Sequence, residues 1–152
     1  MKGDEGMREI KFRAWDKYTE EMWNVETLHI EDEYVDLFKT NIYEKPLENP
    51  WAKISDVILM QYTGLKDKNG VEIYEGDIVK VISGHGWEDV SDVVFGLTDK
   101  RYGSYPAFCM PGVETESNSF SEVFDSGDYE IEVIGNIYEH KYLLREEGFS
   151  DE

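Results

Sequence analysis

Gln61-Tyr62-Thr63-Gly64-Leu65-Lys66-Asp67-Lys68-Asn69-Gly70-Val71-Glu72-Ile73-Tyr74-Glu75-Gly76-Asp77-Ile78-Val79-Lys80-Val81-Ile82 is the most legible part of the chain. Asn69-Gly70 suits a turn that needs positive φ, because Gly lacks a Cβ and Asn tolerates the left-handed region. Val71 and Ile73 then alternate with Glu72 and Tyr74, Glu75-Gly76-Asp77 forms a second tight corner, and Ile78–Ile82 is a β-branched strand. Two corners this close together leave no room for a helix between them. On the upstream side, Ile58–Tyr62 is an apolar run of the buried-strand type that ends in Thr63-Gly64.

Further towards the N-terminus, Ile10, Phe12 and Ala14 alternate with Lys11, Arg13 and Trp15, and after a polar stretch Met22–Val25 reads as a return strand. The two form an N-terminal hairpin, across which Trp15 and Trp23 are expected to pack. Leu28–Lys39 fits neither the helical nor the strand period, so a short strand followed by a helical turn is expected there. Pro46 and Pro50 exclude a helix or a central strand over Tyr43–Trp51, leaving an irregular loop. Downstream, Ser83–Asp92 reads as a loop with glycines around His85. Val93–Leu97 and Ala107–Met110 read as strands, Val113–Glu122 as a ragged loop, and Tyr129–Tyr138 as a strand with Ile131 and Val133 on one face. Tyr142, Leu143 and Leu144 suit a short terminal helix. The pattern is mainly β, with at most one or two short helices. About nine short strands favour a small barrel or roll, because closure hides strand edges.

Three blocks of the chain resemble the YopX-like family of phage and prophage proteins. They are Arg8-Glu9-Ile10-Lys11-Phe12-Arg13-Ala14-Trp15-Asp16, the central run from Met60 to Val79, and Glu132-Val133-Ile134-Gly135-Asn136-Ile137-Tyr138-Glu139. The resemblance implies a single domain over residues 7–144 with an SH3-type roll in its shared part, and it brings no catalytic residues with it. Residues 1–6 and 145–152 are expected to be flexible termini.

Composition narrows the function classes. The chain has 152 residues and a net charge of −19, a field that disfavours direct contact with nucleic-acid phosphates or an anionic membrane. The longest apolar runs, such as Val57–Met60 and Ala107–Met110, fall far short of the 18 or more residues, roughly, that a membrane helix needs. Met1–Gly6 is polar and is not followed by the apolar core of a secretory signal, so cytoplasmic residence in the bacterial host is expected. A single cysteine, Cys109, can make neither an intrachain disulfide nor a zinc cage, and it sits in an apolar strand as a small hydrophobe.

The remaining candidate residues carry two readings. Gly64, Asn69, Gly70, Gly76, Asp77 and Gly135 are assigned to structural turns, since the glycine spacing matches neither a P-loop nor a dinucleotide fingerprint. Trp15, Trp23, Tyr62, Tyr74 and Trp87 come from a chain that is 14% aromatic and form the candidate interaction surface. Asp67, Glu75, Asp77 and His85 would build a small metal-assisted hydrolase only if they converged in one pocket. Apart from that alternative for His85, His29, His85 and His140 read as ordinary surface or packing residues. No cofactor is expected. The favoured function is an accessory protein acting through protein–protein contact as a homo-oligomer, with a host or phage protein as a further partner. An acidic mimic of nucleic acid that blocks a host protein is the other alternative.

Overall fold

The computed structural model describes residues 9–39, 50–97, 106–113, 123–124 and 126–145. The expected flexible end 1–6, residues 146–152 of the expected flexible end 145–152, residues 43–49 of the expected loop 43–51 and residues 114–122 of the expected loop 113–122 lie outside these residues; Arg145 instead ends a helical turn, and Trp51 opens a strand. The chain divides into two compact units, Met1–Tyr62 and Thr63–Glu152, and the division falls inside one strand.

The first unit is an antiparallel sheet of β1 (Phe12–Asp16), β2 (Glu21–His29), β3 (Tyr34–Phe38), β4 (Trp51–Lys53) and the start of β5 (Val57–Lys66), in the order β4-β3-β2-β1-β5. The hairpin read from the N-terminal alternation is present, but its tryptophans do not pack across it. Ala14 faces Trp23 and Trp15 faces Met22, so the period of two puts the indoles on opposite faces. Trp23 packs with Ala14, Val35, Leu37 and Val57, the core of this unit. Ile10, expected inside the first strand, precedes it and is exposed.

Leu28–Lys39 contains no helical turn. β2 and β3 form a second hairpin, with His29 paired to Tyr34 and Leu28 to Val35. Two features mask it in the sequence. The register shifts between Val25 and Thr27, an irregularity that breaks the alternation. The turn also lacks glycine, and Glu33 itself takes φ +59°.

In the second unit the two corners appear where the central run predicts them. Gly70 and Gly76 both have φ +82°, a region that costs other L-residues roughly 1–2 kcal/mol. β5 continues to β6 (Glu72–Tyr74), and β7 (Asp77–Ser83) is the central strand of a sheet ordered β11-β7-β8, with β8 at Glu88–Asp92 and β11 at Tyr129–Asn136. β9 (Val94–Leu97) and β10 (Pro106–Cys109) make a two-stranded ribbon, and α1 (Tyr142–Arg145) is one short turn of helix. Most of the expected Ser83–Asp92 loop is strand: only 84–87 turns, with Ser83 Oγ accepting from His85 N and Trp87 N. Ile73, Val79, Val81, Val93, Met110, Val113, Val123 and Ile131 form the core, and Val133 packs against it. The fold is mainly β with open antiparallel sheets.

Gly64 and Gly135 are strand residues, not turn residues. Gly64 has φ +89° within β5. Gly135 needs space instead. A Cβ there would stand 2.7 Å from His140 Cγ and 2.8 Å from His140 Cβ. His140 is held in that position by its own backbone N–H to Asn136 O at 2.8 Å and by Asn136 N donating to His140 Nδ1 at 3.1 Å. Because the clash involves the root of the ring and not a free side-chain end, Gly135→Ala is expected to destabilise the protein by about 1–3 kcal/mol. Urea denaturation measures this, and an unchanged midpoint would show that His140 swings aside freely.

Candidate functional site

Two of the three acids singled out in the central corners, Asp67 and Asp77, are occupied by the backbone. Asp67 is buried, its Oδ1 accepts from Asn69 N at 2.8 Å and Val71 N at 2.9 Å, and its Oδ2 accepts from Val133 N at 2.9 Å. Burial raises its pKa, but the three N–H donors and the nearby Lys68 outweigh that effect and hold the carboxyl below the ordinary value. Asp77 is 1% exposed, and its Oδ2 accepts from Tyr74 N at 2.8 Å. His85 lies exposed in the turn after β7. Among the described residues no group of three or more His, Cys, Asp or Glu gathers as a metal site, so Asp67, Glu75, Asp77 and His85 do not form the cluster that hydrolysis would need.

The candidate interaction aromatics are distributed differently from expectation. Tyr62 and Tyr74 are 3% and 7% exposed; they are core residues because the strands that carry them are buried along both faces at these positions. Trp23 and Trp87 are partly buried against the two cores, Trp87 also lying 5.6 Å from the Tyr129 ring. Trp15 is half-buried. Among the described residues the exposed aromatics are Tyr18, Phe38, Trp51, Phe95 and Tyr142.

Trp51 belongs to a cluster on the first unit's sheet. Val35 and Leu37 of β3 face the core, so Tyr34, Asp36 and Phe38 face the other way. Register brings His29 opposite Tyr34 from β2, and Trp51 opposite Asp36 and Lys53 opposite Tyr34 from β4. His29 stacks on Tyr34 with centroids 4.0 Å apart and planes 14° from parallel, while its Nε2 meets Asp36 Oδ2 at 2.8 Å. Trp51 meets Tyr34 edge-to-face at 6.0 Å and 78°. Tyr34, Asp36 and Trp51 line a cleft of about 380 Å³. The arrangement combines aromatic faces with one carboxylate, a chemistry suited to holding a cation. Sequence reasoning missed it because the misread second hairpin brings His29 and Asp36 together across seven residues. The alternation Tyr34-Val35-Asp36-Leu37-Phe38 was the signal that could have found it.

Comparison with known proteins places this geometry in context. The family model described as YopX protein matches residues 11–145. A solved structure, the crystal structure of protein EF1440 from Enterococcus faecalis, is similar at 29% identity and TM-score 0.52, over 90% of this chain and 99% of that one. No curated protein matches. Among the described residues no helix is long and apolar enough to cross a membrane.

Two measurements test the roles given to buried groups. Asp67→Asn removes a charged acceptor from three N–H donors and is expected to cost about 2–4 kcal/mol at neutral pH. The folded-state pKa of Asp67 is depressed, so its stabilisation is complete above the ordinary carboxylate value of about 3.9 and disappears as pH falls through the folded value. The stability gap between wild type and Asp67→Asn should therefore narrow in acid; a gap independent of pH would remove the charge from the explanation. Burial, assisted by Asp92, pushes the Cys109 thiol above its ordinary value. Ellman's reagent at pH 8 should leave Cys109 unmodified in the native protein and titrate one thiol after denaturation.

Proposed function

The chain belongs to the YopX family, and we propose that it is a phage-derived accessory protein that works in the host cytoplasm by binding proteins, first of all copies of itself. The observation that carries this reading is Phe95. It stands 57% exposed on the β9–β10 ribbon, stacked edge-to-face on Phe108 at 5.2 Å and 75°. Phe108 in turn packs against the second unit's core. An apolar ring anchored to a core but left open to water is a favourable centre for a symmetric contact, since burying it removes apolar area without new conformational cost.

We take both units as parts of one domain, residues 7–144, built around an SH3-type roll. Support comes from the family match, which runs without a break across the division between the units, and from β5, which belongs to both. The net charge of −19 keeps such a protein soluble and steers it towards basic partners and away from nucleic acid.

Light scattering coupled to size exclusion tests the self-association. Wild type is expected above monomer mass at micromolar concentration. Phe95→Ser should raise the dissociation constant at least about tenfold while leaving the thermal transition cooperative. A wild-type protein that stays monomeric at about 100-fold higher concentration, where an interface weaker by ~2.7 kcal/mol would still register, would refute the reading.

A further inference from the structure

We propose that the Tyr34–Asp36–Trp51 cleft receives the guanidinium of an arginine presented by a partner protein. This rests on the protein-binding reading above but uses a different surface, so the two can fail separately.

Three features of the cleft converge on that occupant. First, its walls are aromatic and partly open. Trp51 is 62% exposed and meets Tyr34, whose other contact is the stacked His29 ring, at a steep angle, so the indole offers its face to a planar cation, which a guanidinium matches better than an ammonium. Second, the carboxylate is half used. His29 engages Asp36 Oδ2, and Oδ1 accepts no hydrogen bond among the described residues. The carboxylate of Asp36 is about one-third exposed, so an incoming donor can reach it without unfolding the sheet. Third, the local scaffold is already set. The stacked His29–Tyr34 pair and the His29–Asp36 bond hold both the ring and the carboxylate before any ligand arrives, which reduces the entropy lost on binding.

The same chain makes an internal contact of this type. Lys39 Nζ lies 4.3 Å from the Trp23 ring centroid and donates to Met22 O at 2.9 Å. A cation above an indole with an oxygen acceptor beside it is thus an arrangement this sheet supports. Lys53 is the opposing feature. It stands opposite Tyr34 on the same face and pairs with no carboxylate among the described residues, so its charge weakens any cation bound next to it.

The test uses the full-length protein labelled with nitrogen-15, read at the Trp51 indole resonance, which comparison with Trp51→Phe assigns. The probes are N-acetyl-arginine methylamide and its neutral isostere N-acetyl-citrulline methylamide, at fixed ionic strength. The arginine probe should shift the Trp51 resonance saturably, and the citrulline probe should not. Asp36→Asn should weaken binding at least about tenfold. Lys53→Gln should strengthen it about twofold or more; as an exposed substitution that keeps the fold, it gives a result even if Asp36→Asn unfolds. Equal shifts from both probes would mean an apolar cleft without cation recognition, and would overturn the proposal. So would unchanged affinity in Lys53→Gln, or the absence of any saturable shift. A protein that self-associates through Phe95 but ignores the arginine probe refutes this inference alone, whereas a monomer that binds the probe refutes only the self-association.

Discussion

The carboxylate of Asp67 is the joint on which the second unit depends. With one oxygen it closes the Asn69-Gly70 corner, and with the other it accepts the amide of Val133, 66 residues away. Beside it, Lys68 N donates to Ile131 O at 3.0 Å. The second corner acts in the same way. Gly76 N reaches Val93 O at 2.8 Å, Gly76 O receives Ile137 N at 2.8 Å, and Asp77 O receives Val93 N at 2.9 Å. Each corner thus satisfies amides that no sheet ladder reaches, and fixes where β11 lies against β7. The apolar residues Ile73, Val79, Val81 and Ile131 can close into one core because those amides have acceptors.

This use of acids explains a difficulty in reading an acidic chain. Carboxylates at tight corners invite a catalytic or metal-binding interpretation, yet Asp67 and Asp77 are bound by backbone N–H groups, and such a group has little capacity left for chemistry. Asp36 is the contrasting case. It shares one oxygen with His29 and keeps the other, on an exposed sheet face beside two aromatic rings. The difference between a structural and an available carboxylate lies in how many donors already point at it.

Aromatic residues divide along the same line. Tyr62 and Tyr74, which flank the most legible corners, are taken up by the interior, while Trp51 and Phe95 remain in water. Sequence offers no means of separating them, because both sets sit in alternating or apolar stretches. What separates them is which strand lies on either side. β3 supplies one face to a core and the other to the cleft, and β9 has a single partner among the described residues.

Local chemistry alone determined much of this protein. The glycine-bearing corners, the β-branched strand after them, the N-terminal hairpin and the closing strand with Ile131 inward all follow from φ preferences and the two-residue period, and the short terminal helix from the run Tyr142-Leu143-Leu144; each acts over a few neighbouring residues. The β2–β3 hairpin, the strand character of Glu88–Asp92 and the close fit of Gly135 against His140 did not. Each depends on a partner that local sequence does not specify: a register shift at Val25–Thr27, a β7 edge that draws a polar segment into the sheet, and a ring that folds back over a strand. The His29–Asp36 cleft belongs to this second group, because strand pairing brings together groups from three strands: the alternation along Tyr34–Phe38 marks which face they share, but not which neighbours join them there.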